Sequence, residues 1–237
     1  MKLVILGDTH FGARGDSLDF HKFFQKFYDE VFFPYLLEND IKVVVQLGDL
    51  FDRRKFINFN SLYLSRKYFF DVCKENNITV HTLIGNHDVA FKNTLEVNSP
   101  NLLLKGYDNI KIYDEFETID FDGIKVDAVP WICDENEADI FAKIKDSKAQ
   151  ICFGHFELAG FEMDRGTSLI CFPNFAGRVL RSTNLKFLFR NDPISENGSF
   201  KVRGKGIDAG HTYSMETTRN FVGVFVKLTP SMEYSKY

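Results

Sequence analysis

Four short apolar runs that each end in glycine are the clearest regularity of the chain. They occupy residues 3–6, 43–47, 80–84 and 151–153, and the glycines that follow are Gly7, Gly48, Gly85 and Gly154. Runs of this length are typical of buried strands. Segments with helical spacing of apolar residues separate the first three runs. This alternation predicts a largely parallel sheet that is covered by helices on both faces.

The predicted helices are marked by the spacing of their apolar residues. The first helix has one apolar stripe, made of Phe20, Phe23, Phe24, Phe27, Val31 and Phe32. Pro34 is expected to kink or restart this helix. A second helix is predicted around residues 60–76 and a short one near 137–145. Residues 117–121 and 124–129, on either side of an Asp-Gly pair, predict a β-hairpin.

Potential metal ligands follow the four glycines directly. The candidates are Asp8, His10, Asp49, Asn86 and His155, and His87 and Asp88 directly follow Asn86. Carboxylate, imidazole and amide donors together suit divalent ions such as Mn²⁺, and Fe or Zn²⁺ less selectively. Asp49 could bridge two ions, which would activate a water and clamp a phosphate. His87 would then act as a general acid on the leaving oxygen, with Asp88 placed to orient it.

Each candidate also has a simpler interpretation. Asp49 alone is typical of a helix N-cap, Asn86 of a turn, and His155 of a hydrogen-bonded core histidine. The occurrence of all four segments in one chain favours the metal-site interpretation. His21 and His81 have no such context, and we interpret them as structural.

The composition is that of an ordinary globular protein, with 44% hydrophobic and 26% charged residues. No apolar stretch reaches the roughly 20 residues that cross a bilayer. The first residues lack the pattern of a signal peptide. Cys73 and Cys152 stand in apolar contexts and are expected to be reduced core residues. We therefore expect a cytoplasmic protein without a membrane segment.

The charge distribution divides the chain in two. Residues 1–164 contain 18 Lys and Arg against 28 Asp and Glu, whereas residues 165–206 contain 8 against 2. The alternating strand and helix pattern also fades near Gly166. We therefore predict a catalytic core at 1–164 and an atypical basic C-terminal region at 165–237. That region is an incomplete end of the same domain, the product of a shifted reading frame or recombined gene end, or a basic insertion that contacts DNA backbone.

Longer strings around the four glycines are more specific than single residues. They are Gly7-Asp8-Thr9-His10-Phe11-Gly12, Gly48-Asp49-Leu50-Phe51-Asp52, Gly85-Asn86-His87-Asp88 and Gly154-His155-Phe156-Glu157-Leu158. In this order they resemble the calcineurin-like metallophosphoesterase superfamily, and more closely the SbcD-type recombination nucleases, particularly the phage version. The resemblance covers residue 1 to about residue 164. It implies a four-layer α/β/β/α sandwich with mixed sheets, and manganese-dependent hydrolysis of DNA phosphodiesters.

The resemblance also implies roles for individual residues and a set of partners. Asp8, His10 and Asp49 resemble ligands of a first ion, Asp49, Asn86 and His155 resemble ligands of a second ion, and His87 resembles the catalytic histidine. The implied partners are DNA, an SbcC/Rad50-like ATPase and a second copy of the chain in a homodimer. The implied location is the cytoplasm, which is that of the host if the protein is phage-encoded.

The fifth motif of that superfamily, Gly-His-x-His, is incomplete here. Its one candidate is Gly210-His211-Thr212-Tyr213, where Tyr213 stands in place of the second histidine. His211 as a metal ligand and a first ion that lacks one ligand are therefore equal alternatives.

A cluster of basic residues lies close in sequence to the predicted metal ligands. Arg53, Arg54 and Lys55 follow Asp52 directly, and Arg14 follows the first ligand segment. They either contact DNA phosphates or form an exposed charged turn.

Three functions remain open on the sequence. The first is a metal-dependent nuclease subunit that acts on DNA ends or single strands. The second is a phosphomonoesterase or cyclic phosphodiesterase of small substrates, which would use the same cluster. The third is a binding or scaffold protein with an impaired metal site.

Overall fold

The computed structural model describes residues 1–149 and 151–156, together with the backbone of five later strands at 162–164, 167–168, 177–179, 187–190 and 222–227. The helical elements are α1 (Ala13–Asp16), α2 (Leu18–Phe27), α3 (Phe33–Glu38), α4 (Phe59–Ser65), α5 (Asp71–Glu75), α6 (Ser99–Leu104) and α7 (Glu137–Asp146). Two π-helical segments, Tyr28–Phe32 and Arg66–Phe70, join α2 to α3 and α4 to α5.

The strands form two five-stranded sheets and one small pair. They are β1 (Lys2–Gly7), β2 (Val43–Gln46), β3 (Thr79–Leu83), β4 (Ile110–Tyr113), β5 (Glu117–Phe121), β6 (Ile124–Val129), β7 (Ile151–Gly154), β8 (Glu162–Asp164), β9 (Thr167–Ser168), β10 (Gly177–Val179), β11 (Phe187–Arg190) and β12 (Val222–Lys227). The first sheet has the order β12-β1-β2-β3-β4, and the second has the order β10-β11-β7-β6-β5.

Both sheets are mixed. In the first sheet β1 to β4 are parallel and β12 pairs with β1 in antiparallel orientation. In the second sheet β6 and β7 are parallel, whereas β5, β10 and β11 are antiparallel to their neighbours. The predicted hairpin is confirmed as β5 and β6, and the predicted short helix as α7. The parallel strands β1, β2 and β3 end at the same edge of the first sheet.

The two sheets pack face to face across a shared apolar core. Alternate residues of the first sheet, such as Leu3, Ile5 and Val45, meet Val126 and Phe153 of the second sheet. The other face of the second sheet packs against α7, and the other face of the first sheet packs against the remaining long helices. The layers therefore run helix, sheet, sheet, helix, as the family resemblance implied, whereas the apolar pattern alone predicted one largely parallel sheet.

The helix-side core of the first sheet is predominantly aromatic. Its largest fully buried side chains include Tyr28, Phe32, Phe69 and Phe70. Phe69 and Phe70 lie with their ring centroids 5.2 Å apart in an edge-to-face arrangement, a favoured geometry for aromatic pairs. Both belong to the π-helical segment between α4 and α5, whose wider turn lets two consecutive residues face the core.

The predicted apolar stripe of the first helix is only partly correct. Phe24, Tyr28 and Phe32 are buried at a spacing of four residues, but Phe23 is 66% exposed and Val31 is also exposed. The core contacts one narrow ridge of this helix, and Phe23 and Val31 lie one residue to the side of it. Pro34 lies in the first turn of α3, and Phe32 and Phe33 before it keep right-handed helical backbone angles. The helical backbone therefore runs on without the restart that Pro34 was expected to cause.

Cys73 and Cys152 are buried, as predicted. Among the described residues, no helix combines the length and the apolar character that crossing a bilayer requires.

The neighbours Phe23 and Phe24 test this assignment of the buried ridge. Phe24→Ala should lower the free energy of unfolding by about 3–5 kcal/mol, because it removes a buried ring and leaves a cavity. Phe23→Ala, on the same helix, should cost less than about 1 kcal/mol. Urea denaturation of both variants measures the difference, and equal losses would contradict the assignment.

Candidate metal centre

The polar residues that follow β1 and β2 are held by an unusual backbone. Asp8, His10 and Asp49 all have positive φ, at 43°, 41° and 55°. Non-glycine residues adopt this region rarely and at some cost. The two loops also bind each other, because the His10 amide donates to the Asp49 carbonyl at 3.0 Å and the Phe11 amide to the Leu50 carbonyl at 2.9 Å. The loops therefore present their side chains as one rigid unit.

Three of the predicted ligands form a compact donor set. One donor atom from each of Asp8, His10 and Asp49 lies within 4.8 Å of the others. The Nε2 atom of His10 lies 3.6 Å from Oδ2 of Asp49. Two carboxylates and an imidazole at this separation are a donor set that suits a divalent cation.

A second group of donors meets the same carboxylate oxygen of Asp49, Oδ2. The Nε2 atom of His155 lies 3.3 Å from Oδ2 of Asp49 and 2.8 Å from Oδ1 of Asn86. Nδ1 of His155 lies 3.0 Å from the carbonyl of Leu47. Because a carbonyl only accepts, Nδ1 carries a proton, and in the neutral form of the ring Nε2 is an acceptor that faces Asp49 and Asn86.

The convergence of these acceptor atoms shows whether the site suits a cation. With its oxygen inward, the Asn86 amide faces Nε2 of His155 as a second acceptor, an arrangement that a bound cation would stabilise. With the amide rotated, its nitrogen would donate to His155 at 2.8 Å and to both oxygens of Asp49 at 3.3 Å. The first orientation matches a metal-loaded centre and the second a metal-free one. The residues present fit a divalent cation.

His87 is oriented by a residue to which the sequence analysis assigned no role. Nδ1 of His87 donates to the backbone carbonyl of Asp52 at 2.6 Å, and its backbone amide donates to Oδ1 of Asp49 at 2.8 Å. The Asp52 carboxylate lies 3.5 Å from Nδ1 of His10. Asp52 therefore contacts both histidines at the mouth of the centre. Its place at the end of the Gly48-Asp49-x-x-Asp52 string was the signal that could have identified it.

The predicted role of Asp88 is wrong. Asp88 was expected to orient His87, but its carboxylate accepts hydrogen bonds from the amides of Leu50, Phe51 and Gly85 at 2.9, 3.2 and 2.9 Å. Asp88 is fully buried. A carboxylate that is committed to three backbone donors joins the second ligand loop to the third, and its function is to hold them together.

Burial dominates the electrostatics of the centre. Desolvation lowers the pKa of His10, against the opposing charges of Asp49 and Asp8. Burial, and then the neighbouring charge of Asp49, raise the pKa of Asp88 to about 7, although its backbone hydrogen bonds oppose the rise. Closely spaced acidic groups of this kind favour a bound cation, because it offsets their repulsion.

Two glycines permit the close approach of the ligand loops. A Cβ atom on Gly48, which has a φ of 94°, would lie 2.6 Å from Nδ1 of His155. A Cβ atom on Gly85 would collide with the backbone nitrogen and Oδ1 of Asp49. The glycines before the ligands are therefore a steric requirement of the cluster.

The four basic candidates lie in different environments. Arg53 contacts Asp16 at 3.6 Å, and Arg54 lies over the Trp131 ring at 5.7 Å. Arg14 and Lys55 are exposed. None of these observations decides between DNA contact and a charged turn, so the role of all four stays a prediction.

The remaining histidines fall as follows. His21 and His81 are buried and bonded to Ser61 and Tyr113, which confirms their structural interpretation. His211 lies outside the described residues.

Comparison with known proteins defines the family. The model of the calcineurin-like phosphoesterase family matches residues 1–193, so the match continues beyond residue 164. The chain therefore belongs to the calcineurin-like phosphoesterase family, whose members are metal-dependent hydrolases. The boundary between the core and the C-terminal region stays a prediction.

One similar protein is exonuclease subunit 1 of Enterobacteria phage T4. It is 38% identical over 166 residues, which are 70% of this chain and 48% of that protein. The chain thus spans about half the length of the curated relative that it matches.

Two solved structures align with the chain at low sequence identity. A novel archaeal phosphodiesterase aligns with a TM-score of 0.37 and 15% identity, covering 68% of this chain and 78% of its own. A protein of unknown function from Aquifex aeolicus aligns with a TM-score of 0.38 and 16% identity, covering 70% and 82%.

Gly85→Ala tests whether the acceptors of the cluster must approach this closely to hold a cation. The new methyl group would displace Asp49, so the affinity for Mn²⁺ should fall about 10-fold or more. Gly106→Ala is the matched control, because a Cβ atom there meets nothing within 4 Å. Isothermal titration with Mn²⁺ measures both variants, and unchanged affinity in Gly85→Ala would contradict the packing argument.

Proposed function

We propose that the chain carries the catalytic centre of a metal-dependent DNA nuclease that hydrolyses phosphodiester bonds. The observation that carries the proposal is the convergence of Asp8, His10, Asp49, Asn86 and His155 at one sheet edge, with His87 beside them. Membership of the calcineurin-like phosphoesterase family supports the hydrolysis. The relative from phage T4, which is named as an exonuclease subunit, supports DNA as the substrate.

The proposed centre holds two divalent ions, with Mn²⁺ as the physiological choice. Asp8, His10 and Asp49 would hold the first ion, and Asp49, Asn86 and His155 the second. The position of Asp49 between the two donor groups supports its role as the bridge. When bound, the ions supply Lewis-acid activation of a water and neutralise phosphate charge. His211 is an additional predicted ligand.

His87 is the proposed general acid. Its Nδ1 proton is committed to the Asp52 carbonyl, so the proton that reaches the leaving oxygen is held at Nε2. The Asp52 carbonyl restricts rotation of the ring, which keeps that nitrogen in one direction. Asp88 contributes indirectly, because its three hydrogen bonds hold the backbone that carries Asp49 and His87.

The proposed partners are DNA, an SbcC/Rad50-like ATPase and a second copy of the chain. The name of the phage T4 relative, a subunit, supports an assembly with another protein. Arg14, Arg53, Arg54 and Lys55 are the proposed contacts to DNA phosphates.

Exposed apolar residues on two adjacent helices support the homodimer. Phe59 on α4 is 90% exposed and Leu102 on α6 is 71% exposed, and Tyr63 is also exposed. Arg66 lies in the π-helical segment that continues α4, and its side chain donates to the carbonyl of Leu103 on α6 at 3.1 Å. The helical run that starts with α4 therefore lies against α6. Exposed apolar side chains of this size on adjoining helices are typical of a protein contact surface.

Removal of His87 or Asp49 tests the nuclease assignment. With Mn²⁺, the wild-type protein should release nucleotides from DNA. His87→Ala should lower kcat about 10²–10⁴-fold through loss of the proton donor, and Asp49→Ala should abolish activity with loss of bound metal. Lys26→Ala, an exposed site on α2, is the control. DNA hydrolysis that survives both changes would refute the assignment.

The alternatives have distinct outcomes in the same experiment. Preference for a small aryl phosphate over DNA would indicate the small-substrate phosphoesterase. Fewer than two tightly held ions per chain by elemental analysis, without hydrolysis, would indicate the scaffold protein.

A charge on the exposed helix face tests the homodimer. Leu102→Glu should shift the protein toward the monomer, because a carboxylate would be desolvated in the contact. Leu18→Glu changes another exposed leucine, on α2, and should have no effect. Sedimentation equilibrium measures both, and a wild-type monomer would contradict the proposal.

A further inference from the structure

The loop that follows the first ligand segment contains a buried hydrogen-bond chain that the metal centre does not use. The Ser61 hydroxyl donates to Oδ1 of Asp16 at 2.6 Å. Nε2 of His21 lies 2.8 Å from the same hydroxyl. Because the Ser61 proton is committed to Asp16, Nε2 of His21 is the donor in the second bond. Ser61 thus binds the Asp16 carboxylate directly, and His21 binds the Ser61 hydroxyl.

The other oxygen of Asp16 faces the guanidinium of Arg53. Its Oδ2 atom lies 3.6 Å from Nη1 of Arg53, and the Arg53 guanidinium also lies 4.9 Å from the centre of the Phe56 ring. Arg53 directly follows Asp52, which contacts both His10 and His87. Consecutive Cα atoms are about 3.8 Å apart, so the backbone of Arg53 lies at the mouth of the centre.

An ordinary surface ion pair does not account for this arrangement. Exposed pairs contribute only about 0–1 kcal/mol, whereas this loop holds Arg14 and Asp16 at φ values of 56° and 62°, each at a cost of about 1 kcal/mol or more. This loop keeps a strained backbone, and buried polar side chains support Asp16. Together these observations indicate that the position of the Arg53 guanidinium matters. The side chain of Arg53 stays 37% exposed, and a guanidinium has five N–H donors.

We propose that Arg53 forms a phosphate-binding subsite next to the metal centre, for a phosphate that neighbours the one being cleaved. Asp16, supported by Ser61 and His21, is the positioning residue that aims its guanidinium. The contacts to Asp16 and Phe56 restrict the side chain, and the remaining donors can take a phosphate in the two-pronged geometry that arginine favours. The inference rests on the proposed function, since it assumes a substrate with more than one phosphate.

Loss of the subsite should weaken the hydrolysis of DNA but not that of a small substrate with one phosphate. Arg53→Ala and Asp16→Asn should each raise the KM for a short single-stranded DNA about 10-fold, with kcat changed less than about 3-fold. Hydrolysis of bis(p-nitrophenyl) phosphate, which has no neighbouring phosphate, should be unchanged. In the Arg53→Ala background, Asp16→Asn should have no further effect, because the residue that it positions is absent.

Salt dependence distinguishes a phosphate contact from structural support. In a His87→Ala background, where cleavage is expected to be about 10²–10⁴-fold slower, fluorescence anisotropy measures binding of the labelled oligonucleotide with Mn²⁺ at several salt concentrations. Arg53→Ala should reduce the slope of log K against log salt by about one, and Arg53→Lys should restore it. Lys26→Ala, remote in sequence and exposed, is the control. Ser61→Ala should reproduce Asp16→Asn, and thermal unfolding shows whether each variant is folded.

The outcomes test the phosphate subsite, the positioning role of Asp16 and the proposed function separately. Unchanged binding and salt slope in folded Arg53→Ala would overturn the subsite, and an unchanged KM in folded Asp16→Asn would overturn the positioning role. A wild-type protein that hydrolyses neither the small diester nor DNA would overturn the proposed function, while the anisotropy measurement still decides the subsite.

Discussion

Mutual repulsion between acceptor atoms is the constraint that shapes this molecule. Two carboxylates, an amide oxygen and an imidazole lone pair converge within a few ångströms, as the short distances from Asp49 to His155 and from His155 to Asn86 show. Such a group is unfavourable in water and more so when buried. A rigid backbone has to hold this arrangement, and either a bound cation or the rotated Asn86 amide, which would donate to Asp49 and His155, has to offset the repulsion. The two-sheet sandwich provides that backbone, because its strands end together at one edge.

The rigidity of the ligand loops comes from hydrogen bonds that lie behind the metal centre. The loops after β1 and β2 bind each other through their backbones, and the Asp88 carboxylate joins the second loop to the third. A buried carboxylate next to Asp49 is itself costly, as the raised pKa of Asp88 indicates. Three backbone donors compensate this cost in part. The chain thus uses the buried carboxylate of Asp88 to position the loops that carry the other acidic residues. The geometry of the centre requires this positioning, which explains why the chain tolerates the cost of burying Asp88.

Local signals predicted most of the fold, and they failed where packing was specific. The strands, the hairpin and α7 follow from short-range patterns of apolar and turn residues, and the structure agrees with them. The burial of Phe24 and the exposure of Phe23 do not follow from such patterns, since both residues fit an apolar stripe. The distinction depends on which ridge of α2 faces the sheet. Helical periodicity alone does not identify that ridge.

The sequence by itself determined which side chains converge at the ends of β1, β2, β3 and β7. Glycine followed by a ligand at the end of each buried strand is a local pattern with a direct steric cause, which the collision at Gly85 makes explicit. Only the tertiary structure decided the partners of those side chains. His87 pairs with the carbonyl of Asp52 rather than with its neighbour Asp88, because adjacent residues on a tight turn point in different directions. Partners across the centre are set by the packing of distant loops, and sequence spacing does not encode that packing.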